Sequence, residues 1–287
     1  MNSLRSFDGT RIAWFGEEGR GAGPAVLLSH GSSFNSGIWR PVRRLLAPVA
    51  GRMVSFDHRS HGLSQGGSTP ASWWDCARDL EGVAVAAGGD MVGIGHSMGG
   101  AALLLASASR CGLFSGLVLI EPIVAPPPFR RDLEHPIIEM AGRRRAAFDS
   151  RESARESLRR AFPDWDPEAL EGYFESALTS AEEEWRLACS PTQEVDIYRA
   201  GFSAGVLDHL SRVDIPVRIL VGGAEDTYPT AWAEEFAQRC RSATVEVVEG
   251  ADHFLPMTRP DAVVEAYARL AASLMPRKRR RRPALHP

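Results

Sequence analysis

Residues 91–106 read MVGIGHSMGGAALLLA, an apolar strand-like run that ends in Gly95-His96-Ser97-Met98-Gly99 and passes at once into a helical pattern. A G-x-S-x-G between strand and helix sets its serine on a turn too sharp for ordinary dihedrals, so the hydroxyl projects from the sheet edge. Gly95, Gly99 and Gly100 remove the Cβ atoms that such a turn would crowd. The turn also puts Ser97 at a helix N-terminus, where unpaired N–H groups and the macrodipole favour developing negative charge. Ser97 is therefore the candidate nucleophile. The alternative is a Gly-rich turn with an incidental serine. A base would separate the two, because a hydroxyl is a weak nucleophile until an imidazole takes its proton.

Working outward, short Val-, Ile- and Leu-rich runs at 25–29, 53–56, 91–95 and 117–120 do not alternate with polar residues and read as strands buried on both faces. A further strand is expected at 12–15, and helical patterns at 38–47, 72–87 and 98–111 fall between them. This is an α/β arrangement around a mostly parallel sheet. The pattern breaks at Pro122 and Pro126-Pro127-Pro128. From 137 to about 200 the chain is charged and helical, which predicts an inserted, strand-poor helical cap. Within it, Asp166 as N-cap and Pro167 at the first helical position start a helix with Leu170, Tyr173, Phe174, Ala177 and Leu178 on one face. The parallel pattern returns with a strand at 217–221, a helix near 232–240, a strand at 245–248 and a last helix opened by Pro260. The expected division is core 1–122, cap 123–210, core 211–275 and a basic tail 276–287.

Composition narrows the function classes. At 287 residues, with 44% apolar and 24% charged side chains, the chain is an ordinary folded protein and neither disordered nor fibrous. No run approaches the roughly 20 apolar residues of a bilayer span, and the start lacks the apolar core of a signal peptide, so a soluble cytoplasmic protein is expected. Six of the 33 basic residues lie in RKRRRR at 277–282, leaving 27 against 36 acidic residues in 1–276. So acidic a body is a poor partner for nucleic acid, and any such contact, or one with an anionic membrane, would rest on the tail. The near-exclusive use of Arg over Lys suggests a GC-rich bacterial source. Cys76, Cys111, Cys189 and Cys240 are scattered, with neither metal-ligand spacing nor a disulfide framework.

Among eight histidines, His253 lies in Glu249-Gly-Ala-Asp-His253-Phe254 just past the strand at 245–248, at the sheet edge where Ser97 also emerges. Asp226 follows the strand at 217–221 at the same edge, poised to orient His253. The order Ser97, Asp226, His253 and the elbow together resemble the α/β-hydrolase superfamily over about residues 4–275, including its cap-bearing esterase-like members. Ser29-His30-Gly31-Ser32 resembles that family's H-G-x oxyanion loop. Asp57-His58-Arg59-Ser60-His61-Gly62-Leu63-Ser64 resembles its D-x-R-G-H-G-x-S, with Ser60 in place of Gly. Gly223-Ala-Glu-Asp226 resembles its acid turn.

The resemblance implies an α/β-hydrolase fold, with Ser97, Asp226 and His253 as triad and the backbone N–H groups of Ser32 and Met98 as oxyanion donors. It implies no cofactor and no metal. His30, His58, His61 and His96 then shape loops, Asp252 shapes the loop of His253, and Glu121, just past the strand at 117–120, stays open as the alternative acid. The expected activity is hydrolysis of a small to medium apolar ester or lactone through an acyl-enzyme, on a small-molecule substrate. Trp165, Tyr173, Phe174 and Trp185 of the cap serve either as pocket walls or simply as core. Carbon–carbon bond hydrolysis of a vinylogous diketone, cofactor-free perhydrolysis, and a ligand-binding role on the same fold are the competing readings.

Overall fold

The computed structural model describes residues 1–66, 70, 72–124, 136–181, 184–201, 204–224 and 230–275. An eight-stranded sheet runs through the core. Its strands are β1 (Asn2–Arg5), β2 (Arg11–Glu18), β3 (Val26–Ser29), β4 (Arg52–Phe56), β5 (Met91–His96), β6 (Phe114–Ile120), β10 (Val217–Gly222) and β11 (Ala243–Val248). Their order is β1-β2-β4-β3-β5-β6-β10-β11. β3, β5 and β6 are almost wholly buried, as continuous apolar runs predict for strands covered on both faces. β2 pairs antiparallel with both β1 and β4, whereas every other pairing is parallel.

Helices α1 (Arg40–Leu46), α2 (Trp73–Ala86), α3 (Met98–Ser109), α8 (Thr230–Arg239), α9 (Leu255–Thr258) and α10 (Pro260–Leu274) flank the sheet. The helix expected at 38–47 is split into a 3-10 turn, Ser36–Trp39, capped by the Asn35 side chain, and α1, which has Pro41 in its first turn. Among the described residues no helix is long and apolar enough to cross a membrane. All four cysteines are free.

The parallel register decides what meets at the C-terminal edge. Ser29 of β3 lies opposite Gly95 of β5, His96 opposite Ile120 of β6, Leu220 of β10 opposite Ile120, and Gly222 opposite Val248 of β11. The residues that follow these five strand ends are thus neighbours in space although far apart in sequence.

The segment inserted after β6 carries α4 (Pro136–Gly142), α5 (Arg151–Ala161), α6 (Pro167–Ala177) and α7 (Pro191–Gly201). The expectation of a strand-poor cap is corrected here. Three short strands, β7 (Ala147–Phe148), β8 (Leu178–Ala181) and β9 (Glu184–Leu187), form an antiparallel sheet in the order β7-β9-β8. β7 and β9 each bury one residue, Phe148 and Leu187, so neither shows the repeating alternation that announces a strand. α6 begins as read, with the Asp166 carboxylate accepting from the Glu168 N–H at 2.7 Å and Pro167 in the first turn. It docks on the core at a glycine pair. A Cβ on Gly37 would overlap the Gly172 carbonyl, and a Cβ on Gly172 would overlap that of Gly37.

Candidate active site

Ser97 sits between β5 and α3 with φ 53° and ψ −120°, in the left-handed half of dihedral space that a non-glycine residue enters only when the surroundings force it. Its neighbours enforce the turn. A Cβ on Gly95 would come within 2.6 Å of Leu103 Cδ1 and 2.8 Å of the Gly100 Cα, and one on Gly99 would overlap the carbonyl oxygens of Ser29 and His30. The Ser97 carbonyl accepts from the N–H groups of Gly100 and Ala101, and its N–H donates to the Ile120 carbonyl at 3.0 Å.

His253 reaches this elbow on the loop between β11 and α9. Its backbone carbonyl accepts from His96 Nε2 at 2.8 Å, and the two imidazoles lie 4.8 Å apart between centroids. Asp252 shapes the loop, its carboxylate accepting from the Phe254 N–H at 3.0 Å.

The carboxylate that meets His253 belongs to Glu121. His253 Nδ1 lies 2.7 Å from Glu121 Oε2, and Gly222 N–H donates to Glu121 Oε1 at 2.7 Å. Glu121 is fully buried and, like Ser97, has a positive φ, 43°. That backbone turn just past β6 aims the side chain across the end of β10 towards His253. A carboxylate only accepts, so Nδ1 carries the imidazole proton and Nε2 is left with its lone pair. Asp226 lies outside the described residues.

Ser32 and Met98 also come together, with the Ser32 hydroxyl 3.4 Å from Met98 Sδ. Met98 opens α3, where first-turn N–H groups have no intrahelical acceptor. Among the described residues neither the Ser32 nor the Met98 N–H has a protein acceptor, so both can serve an anionic oxygen.

A layer of buried histidines supports these loops. His30 Nε2 accepts the His58 N–H at 3.0 Å, which leaves Nδ1 to donate to the Gly31 carbonyl at 2.7 Å. His61 Nε2 accepts the Ser33 N–H at 3.0 Å, while its Nδ1 donates to the Arg59 carbonyl at 2.9 Å. Burial holds the pKa of His30 down to about 4 and that of His61 to about 3. His58 and His96 lie well below the ordinary imidazole value for the same reason, with neighbouring histidines adding to the effect. All four are neutral hydrogen-bonding pieces of the scaffold.

Ser60, where the family pattern has Gly, adopts φ 64° and buries a hydroxyl without a partner among the described residues. Ser60→Gly is therefore expected to raise stability by about 1 kcal/mol, since it removes left-handed strain and an orphan hydroxyl against a smaller gain in unfolded-chain entropy. A higher urea midpoint at unchanged m-value is the result to look for.

An aromatic cluster lies beside His253, whose ring is 6.0 Å from that of Phe254. Phe34 packs against Trp165 at 5.3 Å, Tyr173 at 5.8 Å, Phe254 at 6.1 Å and His96 at 6.1 Å, and Phe162 stacks on Trp165 at 4.2 Å. Of the four cap aromatics singled out in the sequence, Trp165 and Tyr173 join this cluster. Phe174 instead lies under the guanidinium groups of Arg151 and Arg155, and Trp185 under Arg151. Phe34, Phe162 and Phe254 had no sequence signal beyond being aromatic.

Comparison with known proteins agrees with this architecture. The model of the alpha/beta hydrolase family matches residues 26–266, and the chain belongs to that family. An abhydrolase domain-containing protein of Alternaria alternata is 30% identical over 105 residues, 37% of this chain and 40% of its own, so this chain spans less than half of that relative's length. The 2-(acetamidomethylene)succinate hydrolase of Mesorhizobium japonicum is 24% identical over 254 residues, 86% of this chain and 87% of that one. A solved structure of E-2-(acetamidomethylene)succinate hydrolase superimposes with a TM-score of 0.76 at 22% identity, covering 94% of this chain and 98% of that chain.

Proposed function

We propose that the chain is a serine hydrolase of small to medium apolar carboxylic esters or lactones, with Ser97 as nucleophile, His253 as general base and Glu121 as the acid that orients it. The observation that carries this reading is the Glu121–His253 hydrogen bond, with His253 held against the strained elbow by His96, the residue before Ser97. Glu121 takes the role that the sequence resemblance had given to Asp226. In the proposed reaction Ser97 Oγ attacks the carbonyl carbon and its proton passes to His253 Nε2. The imidazolium so formed is stabilised by the Glu121 carboxylate. The N–H groups of Ser32 and Met98 hold the tetrahedral oxyanion. The imidazolium then protonates the leaving alkoxide, and water, activated by the same histidine, releases the acid. The aromatic cluster beside His253 supports an apolar substrate.

The test is a fluorophosphonate adduct located by intact mass and peptide mapping, with p-nitrophenyl esters of increasing chain length assayed in parallel. An adduct on Ser97 that is absent from Ser97→Ala, together with turnover that peaks at one acyl length, is the expected result. A folded wild-type protein giving neither adduct nor turnover would move the assignment to a ligand-binding role.

A further inference from the structure

The turn that carries Ser32 is fixed by the cap as well as by the core. Gly31, Ser32, Ser33 and Phe34 form a turn closed by the Phe34 N–H to the Gly31 carbonyl at 3.4 Å, and its third residue, Ser33, has φ 72°. Glycine is the unstrained choice at such a position. A serine stands there, and each polar group of that residue has a partner. Its N–H donates to His61 Nε2 at 3.0 Å, its carbonyl accepts from the Tyr173 hydroxyl of α6 at 3.1 Å, and its hydroxyl donates to Glu194 Oε1 of α7. Glu194 is 3% exposed, and its second oxygen accepts from Arg144 Nη1. A buried carboxylate is expensive to desolvate, and an apolar group of similar size commonly serves stability as well or better. Its placement is accounted for by what it holds: the hydroxyl one residue beyond a candidate oxyanion donor.

We infer that Glu194, charge-balanced by Arg144, is a positioning residue of the oxyanion hole, acting through Ser33 to hold the turn that presents the Ser32 N–H. The inference rests on the serine-hydrolase reading above. It makes α7 of the cap part of the machinery for transition-state charge, not only a roof over the substrate. Relaxation of Ser33 out of its left-handed well turns the chain that carries the Ser32 donor. Because ground-state binding by the aromatic cluster does not use that donor, the effect belongs in kcat and not in KM.

Two variants test this, one on each side of the contact. Ser33→Ala keeps the positive φ while deleting the hydroxyl, and Glu194→Gln keeps the side-chain shape while deleting the charge; its amide oxygen goes to the Arg144 guanidinium, which leaves the NH₂ facing the Ser33 hydroxyl and removes that hydroxyl's acceptor. Complete loss of one oxyanion donor lowers kcat by about 10²–10³, so a donor that is only misplaced is expected to lower it about tenfold. Each variant is expected to show that fall with p-nitrophenyl butyrate at nearly unchanged KM, a matching fall in the rate of fluorophosphonate labelling of Ser97, and an unfolding midpoint that leaves it folded under the assay conditions. The double variant is expected to be no slower than the worse single one, because both break the same contact. Wild-type labelling rates in the variants, a loss confined to KM, or losses that multiply in the double variant would overturn the inference. An absence of labelling in the wild-type protein would instead overturn the hydrolase reading beneath it.

Discussion

Exchanging Glu121 for glutamine is expected to lower kcat by about 10⁴ with little change in KM, the magnitude seen when a triad carboxylate becomes an amide elsewhere. The geometry gives the reason. The Gly222 N–H donates to Glu121 Oε1, so a glutamine amide turns its oxygen to Gly222 and its NH₂ to His253 Nδ1. Nδ1 must then accept, the imidazole proton moves to Nε2, and the nitrogen that should take the serine proton no longer has a lone pair. Asp226→Asn is expected to leave kcat near the wild-type value. Steady-state kinetics on both variants, each first shown to be folded, decides the matter. Loss in Asp226→Asn with activity retained in Glu121→Gln would return the acid's role to the turn after β10.

How far this site could be read beforehand depended on whether a residue's role was written in its local sequence. The elbow was legible because strand, glycines and helix lie within one short run, and the buried parallel strands because nothing but an apolar run suits a strand covered on both faces. β1 was not expected, since its four residues are mostly exposed and bury no alternating face. The choice of acid could not be ranked from spacing, because Glu121 and Asp226 both follow strands that end at one edge. What marks Glu121 in the structure is its positive φ and the backbone N–H that fixes its carboxylate, neither of which a sequence displays. Ser33 and Glu194 are 161 residues apart, so their contact exists only once the segment that carries α6 and α7 has docked at Gly37 and Gly172.

Acidification below about pH 6.5 is expected to destabilise the protein steeply. His30, His58, His61 and His96 are neutral in the fold, with His30 held to about pKa 4, His61 to about 3 and the other two well below the ordinary value, chiefly by burial. In the unfolded chain each returns to about 6.5. Above that pH neither state binds the protons and stability is unaffected. Below it the unfolded chain takes them up and the fold does not, so stability falls by about 1.4 kcal/mol per pH unit for each histidine until the pH passes the folded value. By pH 5 His30 and His61 together remove about 4 kcal/mol, a large part of the stability of a typical domain, and His58 and His96 act in the same direction. The fold cannot accept these protons cheaply, because His30 Nε2 and His61 Nε2 already receive N–H groups from His58 and Ser33. Asp8, whose pKa is lowered to about 2, contributes stability that is lost only below about pH 4, outside this window. Urea unfolding between pH 8 and 5 should give a stability that falls with pH, and His61→Gln, whose amide oxygen can still accept from Ser33, should reduce the slope by one proton. A flat stability profile down to pH 5 would contradict the neutral-histidine account. Since His61 holds the turn that carries Ser32, fluorophosphonate labelling should fail at the same pH as the fold.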